Sequence, residues 1–183
     1  MFRRPFRGGG RVPMRANPIL VQSIQRANQL IANGQASEAA QLLTRLLRES
    51  ESRGRPRLTA NLHAQAARAY AAAKDEQNAL SHAKSALNQF VRLNMLPRVP
   101  KFYANITREL QVNGMNASAD ALQKEFGAKA KELESQGFAA PAQHGRLPPK
   151  CPQCAAPVKS DEVDWIDRNS AECNYCGSVI QTD

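Results

Sequence analysis

Cysteine and aromatic residues are scarce in this chain. All four cysteines lie after residue 150, and aromatic residues make up 5% of the 183 residues. The first 150 residues therefore hold no disulfide and no thiolate metal site, and any core they form depends on aliphatic side chains and alanine. Four cysteines confined to one segment fit a reducing compartment, although two disulfides outside the cell are the alternative.

Long apolar runs are also absent. No stretch of about 18 apolar residues is present to cross a bilayer. The pair Arg3-Arg4 is not followed by the apolar segment that a secretion signal requires. We therefore expect a soluble cytoplasmic protein without a membrane partner.

Charge is distributed unevenly along the chain, whose formal net charge is +9. Residues 1–15, "MFRRPFRGGGRVPMR", contain five arginines and no acid, whereas residues 151–183 contain two basic and six acidic residues. We predict that 1–15 form a disordered basic tail, because Arg, Gly and Pro offer too little apolar surface to fold. Such a tail either keeps the chain soluble or contacts RNA or an acidic surface.

The middle of the chain has helical periodicity that repeats. Asn17 and Pro18 are suited to begin a helix, and apolar residues follow on one stripe: Ile19, Leu20, Ile24, Ala27, Leu30 and Ile31. Three segments spaced by 40 residues then share one pattern: "LIANGQASEAA" from Leu30, "YAAAKDEQNAL" from Tyr70 and "LQVNGMNASAD" from Leu110. The turn falls at Gly34, Lys74 and Gly114, and a small residue follows at Ala39, Ala79 and Ala119. The pattern predicts a mainly α protein with about three helical hairpins stacked as a short α-solenoid.

The middle copy, "AARAYAAAKDEQNALSHAKSAL", resembles the tetratricopeptide repeat family, which keeps small residues and a Tyr at matching places. The resemblance spans roughly 16–137, although the period is 40 instead of 34 and Gln123 stands where an apolar residue is expected. It implies that the first helices of successive hairpins line a groove. Donor side chains there would hold the carboxylate of an acidic peptide: Asn61, Gln65, Arg68, Lys101, Asn105 and Arg108. The alternatives are an ordinary helical bundle and a polar face that is merely solvated.

Residues 151–183 are predicted to form a metal-binding module, and a Pro-rich linker at 138–150 precedes it. "CPQC" and "CNYC" present four thiolates to one ion: Cys151, Cys154, Cys173 and Cys176. The spacing, with Gly177 after the last cysteine, resembles a zinc ribbon, and strands are predicted around Val163 to Trp165 and at Val179-Ile180. A single structural Zn²⁺ is expected, with rubredoxin-like iron as the alternative. Because protein ligands fill all four positions, no site is left for catalysis.

No other motif in the sequence points to an enzyme. His63, His82 and His144 have no second ligand or nucleophile at an informative spacing, and no Gly-rich phosphate loop follows a strand. We therefore predict a non-catalytic interaction or adaptor protein whose partner is a protein, in particular an acidic peptide or surface. The alternative is an RNA- or ribosome-associated factor that binds through the basic tail and helices. Redox signalling through the cysteines ranks third.

Overall fold

The computed structural model describes residues 18–138, 144–153, 156–160, 163–165, 169–173 and 178–182. Six α-helices form what we call the helical body, and the prediction of a mainly α protein is confirmed. Their bounds are α1 Pro18–Ala32, α2 Ala36–Ser52, α3 Pro56–Ala72, α4 Glu76–Arg92, α5 Arg98–Val112 and α6 Asn116–Leu133. A π-helical turn, Glu134–Phe138, continues α6. The predicted tail at 1–15 and the predicted cap Asn17 lie outside the described residues.

Each of the first five helices ends in the same kind of turn, and these turns recur every 20 residues. One residue in each turn has a positive φ: Gly34, Gly54, Lys74, Asn94 and Gly114. The next residue donates its backbone N–H to the carbonyl five positions earlier, as in Gln35 to Leu30 (2.8 Å), Asp75 to Tyr70 (2.9 Å) and Met115 to Leu110 (2.9 Å). This is the bond pattern of a Schellman helix end. The 40-residue sequence period therefore comprises two helices, each followed by one such turn.

Lys74 is the turn residue whose replacement tests this geometry. Its φ of 59° lies in the left-handed region, which is unfavourable for a residue with a Cβ atom. We expect Lys74→Gly to raise the free energy of unfolding by about 0.5–1 kcal/mol, after allowing for the greater freedom of Gly in the unfolded chain. Urea unfolding followed by helical circular dichroism measures the change. Lys74→Ala is the matched control and should give no such gain; equal stability of the two variants would contradict the assigned backbone.

Small residues allow consecutive helices to pack closely. The three predicted positions one turn into the second helix of each hairpin are buried: Ala39, Ala79 and Ala119. Two apolar clusters result, one joining α1 to α3 and the other joining α3 to α6. Two members of the predicted stripe on α1 are instead exposed, Ile19 at 70% and Ile31 at 37%. The apolar side of this helix is wider than the face that α2 covers.

The described residues from 144 to 182, which we call the C-terminal module, contain a small antiparallel sheet. Its strands are β1 Asp164–Trp165, β2 Ser170–Glu172 and β3 Val179–Gln181, in the order β1-β2-β3. β1 and β3 lie at the positions predicted around Val163 to Trp165 and at Val179-Ile180. The pairing places Trp165 opposite Ala171 and Ala171 opposite Ile180. Ala171 and Ile180 therefore share one face of the sheet, and both are buried.

Residues 144–150, predicted as part of a linker, pack against this sheet. The His144 ring stacks on Trp165 with ring centroids 4.0 Å apart. Leu147 is 6% exposed and belongs to the apolar cluster of Cys151, Val163 and Ile180. The described end of this segment is thus held by the C-terminal module.

Candidate functional site

A pocket between α3 and α5 is lined by most of the side chains predicted to bind a partner. We call it the central pocket. Five of the six predicted residues line it: Asn61, Gln65, Arg68, Lys101 and Asn105. The sixth, Arg108, is exposed, does not line the pocket and donates to Asn105 Oδ1 over 3.1 Å. The pocket has a cavity volume of about 100 Å³ and opens to solvent.

The polar part of the central pocket contains buried amide groups. Asn61 is 2% exposed, and its Oδ1 accepts a hydrogen bond from Arg98 Nη1. That bond engages the amide oxygen, so the Nδ2 group remains as a hydrogen-bond donor in a different direction. Asn61 Nδ2 and both polar atoms of the Gln65 amide have no hydrogen-bond partner among the described residues. Buried polar atoms are normally satisfied, so these atoms indicate where a ligand or an ordered water binds.

Cationic and aromatic side chains complete the lining. Arg68 Nε donates to Glu109 Oε1 over 2.8 Å, which ties α3 to α5. The Arg98 guanidinium lies 5.8 Å from the centroid of Phe90, and Phe90 meets Phe102 edge to face at 5.8 Å. The pocket therefore offers hydrogen-bond donors and positive charge beside an apolar surface. This combination suits a carboxylate attached to an apolar group.

Six further lining residues were not predicted from the sequence: Ala64, Phe90, Pro97, Arg98, Phe102 and Val163. Arg98 is 7% exposed although it is the first residue of α5, where a charged side chain ordinarily faces water. Val163 comes from the C-terminal module, about 60 residues further along the chain. Its contribution depends on a packing of the module against the helices that no local sequence pattern reveals.

The described cysteines, Cys151 and Cys173, begin two turns that are closed by the same kind of backbone hydrogen bond. Cys151 N–H donates to Ala156 O over 2.9 Å, and Cys173 N–H donates to Ser178 O over 2.8 Å. Each bond spans five residues and closes a loop that contains the second cysteine of its pair. Cys151 and Cys173 are 2% and 1% exposed, and Cys151 Sγ lies 3.4 Å from Ser178 Oγ. The two turns therefore face each other.

These turns fit the predicted four-thiolate site as far as they are described. Among the described residues no group of three metal-ligating side chains converges. Cys154 and Cys176, the second cysteine of each pair, lie outside the described residues. Two turns closed by matching hydrogen bonds, each beginning at a buried cysteine and in contact through Cys151 Sγ and Ser178 Oγ, are compatible with a tetrahedral site.

A partly buried histidine pair between α3 and α4 was not anticipated from the sequence. His63 Nδ1 and His82 Nδ1 are 2.9 Å apart, so one nitrogen donates and the other accepts. The Tyr70 ring stacks on His82 at 5.3 Å, and Glu51 Oε1 lies 3.9 Å from His63 Nε2. Burial, and next the charge of His82, lower the pKa of His63 to about 4. Burial also lowers the pKa of His82, against the opposing effect of Asp75.

The pair makes the helical body sensitive to acid. In the unfolded chain both histidines bind protons near pH 6.5, whereas the folded state resists protonation of His63 down to about pH 4. The contribution of the pair to the free energy of unfolding is therefore fully present above pH 6.5. It is lost as the pH falls from 6.5 to about 4, and the loss is on the order of 1–2 kcal/mol. Urea unfolding at several pH values measures the slope.

The double variant His63→Leu/His82→Leu should lose much of this pH dependence. His144→Gln leaves the pair intact and should keep the wild-type profile. Identical profiles for the double variant and the wild type would show that the pair is not the acid-sensitive element.

Comparisons with known proteins give no family for this chain. No protein-family model, curated protein or solved structure matches it. In the described part of the chain, no helix is long and apolar enough to span a membrane. The central pocket and the cysteine turns are therefore the features from which a function is inferred.

Proposed function

We propose that this protein is a non-catalytic binding protein that holds a short acidic peptide in its central pocket. The observation that carries the proposal is the buried Asn61 amide, whose Nδ2 has no partner among the described residues. The repeated turns and three helical hairpins support a tetratricopeptide-like body. In such a body, the first helices of successive hairpins present their side chains to one ligand.

The ligand chemistry follows from the lining of the pocket. Asn61 Nδ2, Gln65 Nε2 and Lys101 are donors that suit a carboxylate. Phe90, Phe102 and other apolar lining residues suit an aliphatic side chain next to that carboxylate. An acidic peptide with one apolar residue near a free C-terminus combines both groups.

For the C-terminal module we propose a zinc ribbon with one structural Zn²⁺. Cys151, Cys154, Cys173 and Cys176 would supply four thiolates, and the two matched turns support this assignment. Bound zinc supplies folding free energy to a module too small to bury a sufficient core. With four protein ligands the ion has no open position, which supports a non-catalytic role for it.

The helical charges favour a peptide over RNA. Several basic side chains of the helices already pair with carboxylates: Arg53 with Glu49 (2.7 Å), Arg68 with Glu109 (2.8 Å) and Lys84 with Glu125 (2.6 Å). Phosphate contacts along the helices would have to compete with these pairs. The basic tail, to which the RNA alternative also appeals, lies outside the described residues. A steep loss of RNA affinity with added salt would support that alternative.

The test uses a fluorescein-labelled peptide, Ser-Gly-Leu-Glu-Asp, with a free C-terminal carboxylate, and measures binding by fluorescence anisotropy. Asn61→Asp keeps the shape of the side chain but replaces the donor by a carboxylate. We expect it to weaken binding about tenfold or more, because a hydrogen bond to a charged group is lost and a repulsion is added.

Asn88→Asp is the matched control, since it makes the same charge change at an exposed position on α4. It should bind the peptide like the wild type. The peptide Ser-Gly-Leu-Gln-Asn with an amidated C-terminus should bind neither the wild type nor either variant. Equal affinity of Asn61→Asp and wild type, or equal binding of the two peptides, would refute the proposed function.

A further inference from the structure

Two described residues of the C-terminal module lie beside the helical body. Val163 is 5% exposed and lines the central pocket together with residues of α3 and α5. Glu172 Oε2 lies 3.0 Å from Arg57 Nη1, and the Glu172 side chain is only 14% exposed. The first residue contributes an apolar wall to the pocket, and the second forms an ion pair with the helical body.

Both residues lie beside one face of α3. Arg57, Asn61, Ala64 and Arg68 follow at spacings of four, three and four residues, which places them on one stripe of the helix. Arg57 pairs with the module, and the other three line the central pocket beside Val163. The module therefore lies along the same face of α3 that presents the pocket.

The module borders the pocket without filling it. The pocket remains open to solvent with Val163 in its lining. Asn61 Nδ2 and the Gln65 amide atoms still have no hydrogen-bond partner among the described residues. Val163 brings an apolar side chain to a pocket whose other apolar walls include Phe90 and Phe102. A peptide side chain placed there would contact both the helices and the module.

We propose that the binding site is composite, with the helical body supplying the carboxylate-binding groups and the C-terminal module supplying one apolar wall. This inference rests on the proposed function and adds how peptide binding is regulated by the C-terminal module. Because the ligand contacts both parts, it binds the docked state more tightly than the undocked state. Ligand affinity and zinc occupancy are then linked, and loss of the metal weakens peptide binding.

The Arg57–Glu172 pair gives a test in which docking and bulk charge act in opposite directions. Glu172→Arg adds positive charge near the pocket, so a purely electrostatic effect would strengthen binding of an acidic peptide. It also places two cations against each other at the contact, so a composite site predicts weaker binding. Arg57→Glu is expected to weaken binding both through weaker docking and through the loss of positive charge. The double reversal Arg57→Glu/Glu172→Arg restores both the ion pair and the net charge.

The experiment measures the affinity of the full zinc-loaded chain for the labelled peptide Ser-Gly-Leu-Glu-Asp. Each single reversal should weaken binding about three- to fivefold, the range expected of an exposed ion pair, and the double reversal should recover most of the loss. Arg53→Glu is the matched control, because Arg53 pairs with Glu49 on the neighbouring turn of α2. It should leave the affinity unchanged.

Tighter binding by Glu172→Arg would show that added positive charge, and not docking of the module, governs the affinity. Unchanged binding would show that the module takes no part. Either result overturns the composite site while leaving the proposed function standing, whereas failure of the wild type to bind the peptide refutes the proposed function itself. Amide hydrogen exchange of α3 with and without a zinc chelator tests docking without any ligand. Faster exchange at residues 57–68 after chelation is expected, and identical exchange would overturn the inference.

Discussion

Replacing Cys173 by Ser is expected to unfold the C-terminal module and leave the six helices folded. Cys173 is 1% exposed and its N–H closes one of the two cysteine turns. If zinc holds this module, losing one thiolate removes much of a metal contribution that is on the order of 10–16 kcal/mol for structural sites. The helical body has its own apolar clusters, so its circular-dichroism signal should remain nearly unchanged. Amide NMR spectra of the full chain would show collapse of the module signals alone.

Val179→Ser is the control for this variant, because Val179 lies in the same sheet but is 53% exposed. It should keep both the dispersed module signals and the zinc. A Cys173→Ser protein with a folded module and undiminished zinc would contradict the assignment of Cys173 as a ligand. Zinc content separates this effect from a simple packing defect, which would not release the metal.

Replacing Phe90 by Ala is expected to cause the largest loss of stability within the helical body. Phe90 is 2% exposed, meets Phe102 edge to face and lies beneath the Arg98 guanidinium. Removing a buried ring leaves a cavity that costs about 3–5 kcal/mol, a large part of the stability of an ordinary domain. Urea unfolding followed by helical circular dichroism measures the loss. Peptide affinity should fall too, since the ring is part of the pocket wall.

The neighbouring residue provides the comparison for Phe90. Val91 is 39% exposed, so Val91→Ala should change the free energy of unfolding by about 0.5 kcal/mol or less. Similar losses for the two variants would mean that Phe90 is not the anchor of this core. A stable Phe90→Ala protein that still binds the peptide would show that the Phe90 ring is not needed for binding in the pocket.

The helical part of the fold was predictable because its turns repeat in similar residues. Gly34, Lys74 and Gly114 recur in register, and the alanine that follows each of them is buried. The intervening turns have the same backbone but different chemistry, with Gly54 before Pro56 in one and Asn94 in the other. A backbone conformation shared by dissimilar residues leaves no repeated sequence pattern, so the 20-residue period was missed.

The pocket was predictable only in part. The resemblance to tetratricopeptide repeats implied that the first helix of each hairpin presents donors to a ligand, and on that basis Asn61, Gln65 and Lys101 were predicted. Arg98 and Val163 depend on how separate elements pack, and no periodicity encodes that packing. The His63–His82 pair had a usable signal. The two histidines stand at similar distances from the turn at Lys74, and antiparallel helices bring such positions together.

X-ray absorption at the zinc edge, on the purified full-length chain, tests the central claim most directly. The claim is that four cysteines hold one zinc ion and thereby form the module that walls the central pocket. The predicted result is close to one zinc per chain, surrounded by four sulfur atoms at about 2.3 Å. A chain that carries two disulfides and no metal, or a zinc shell that contains oxygen or nitrogen ligands, would contradict it.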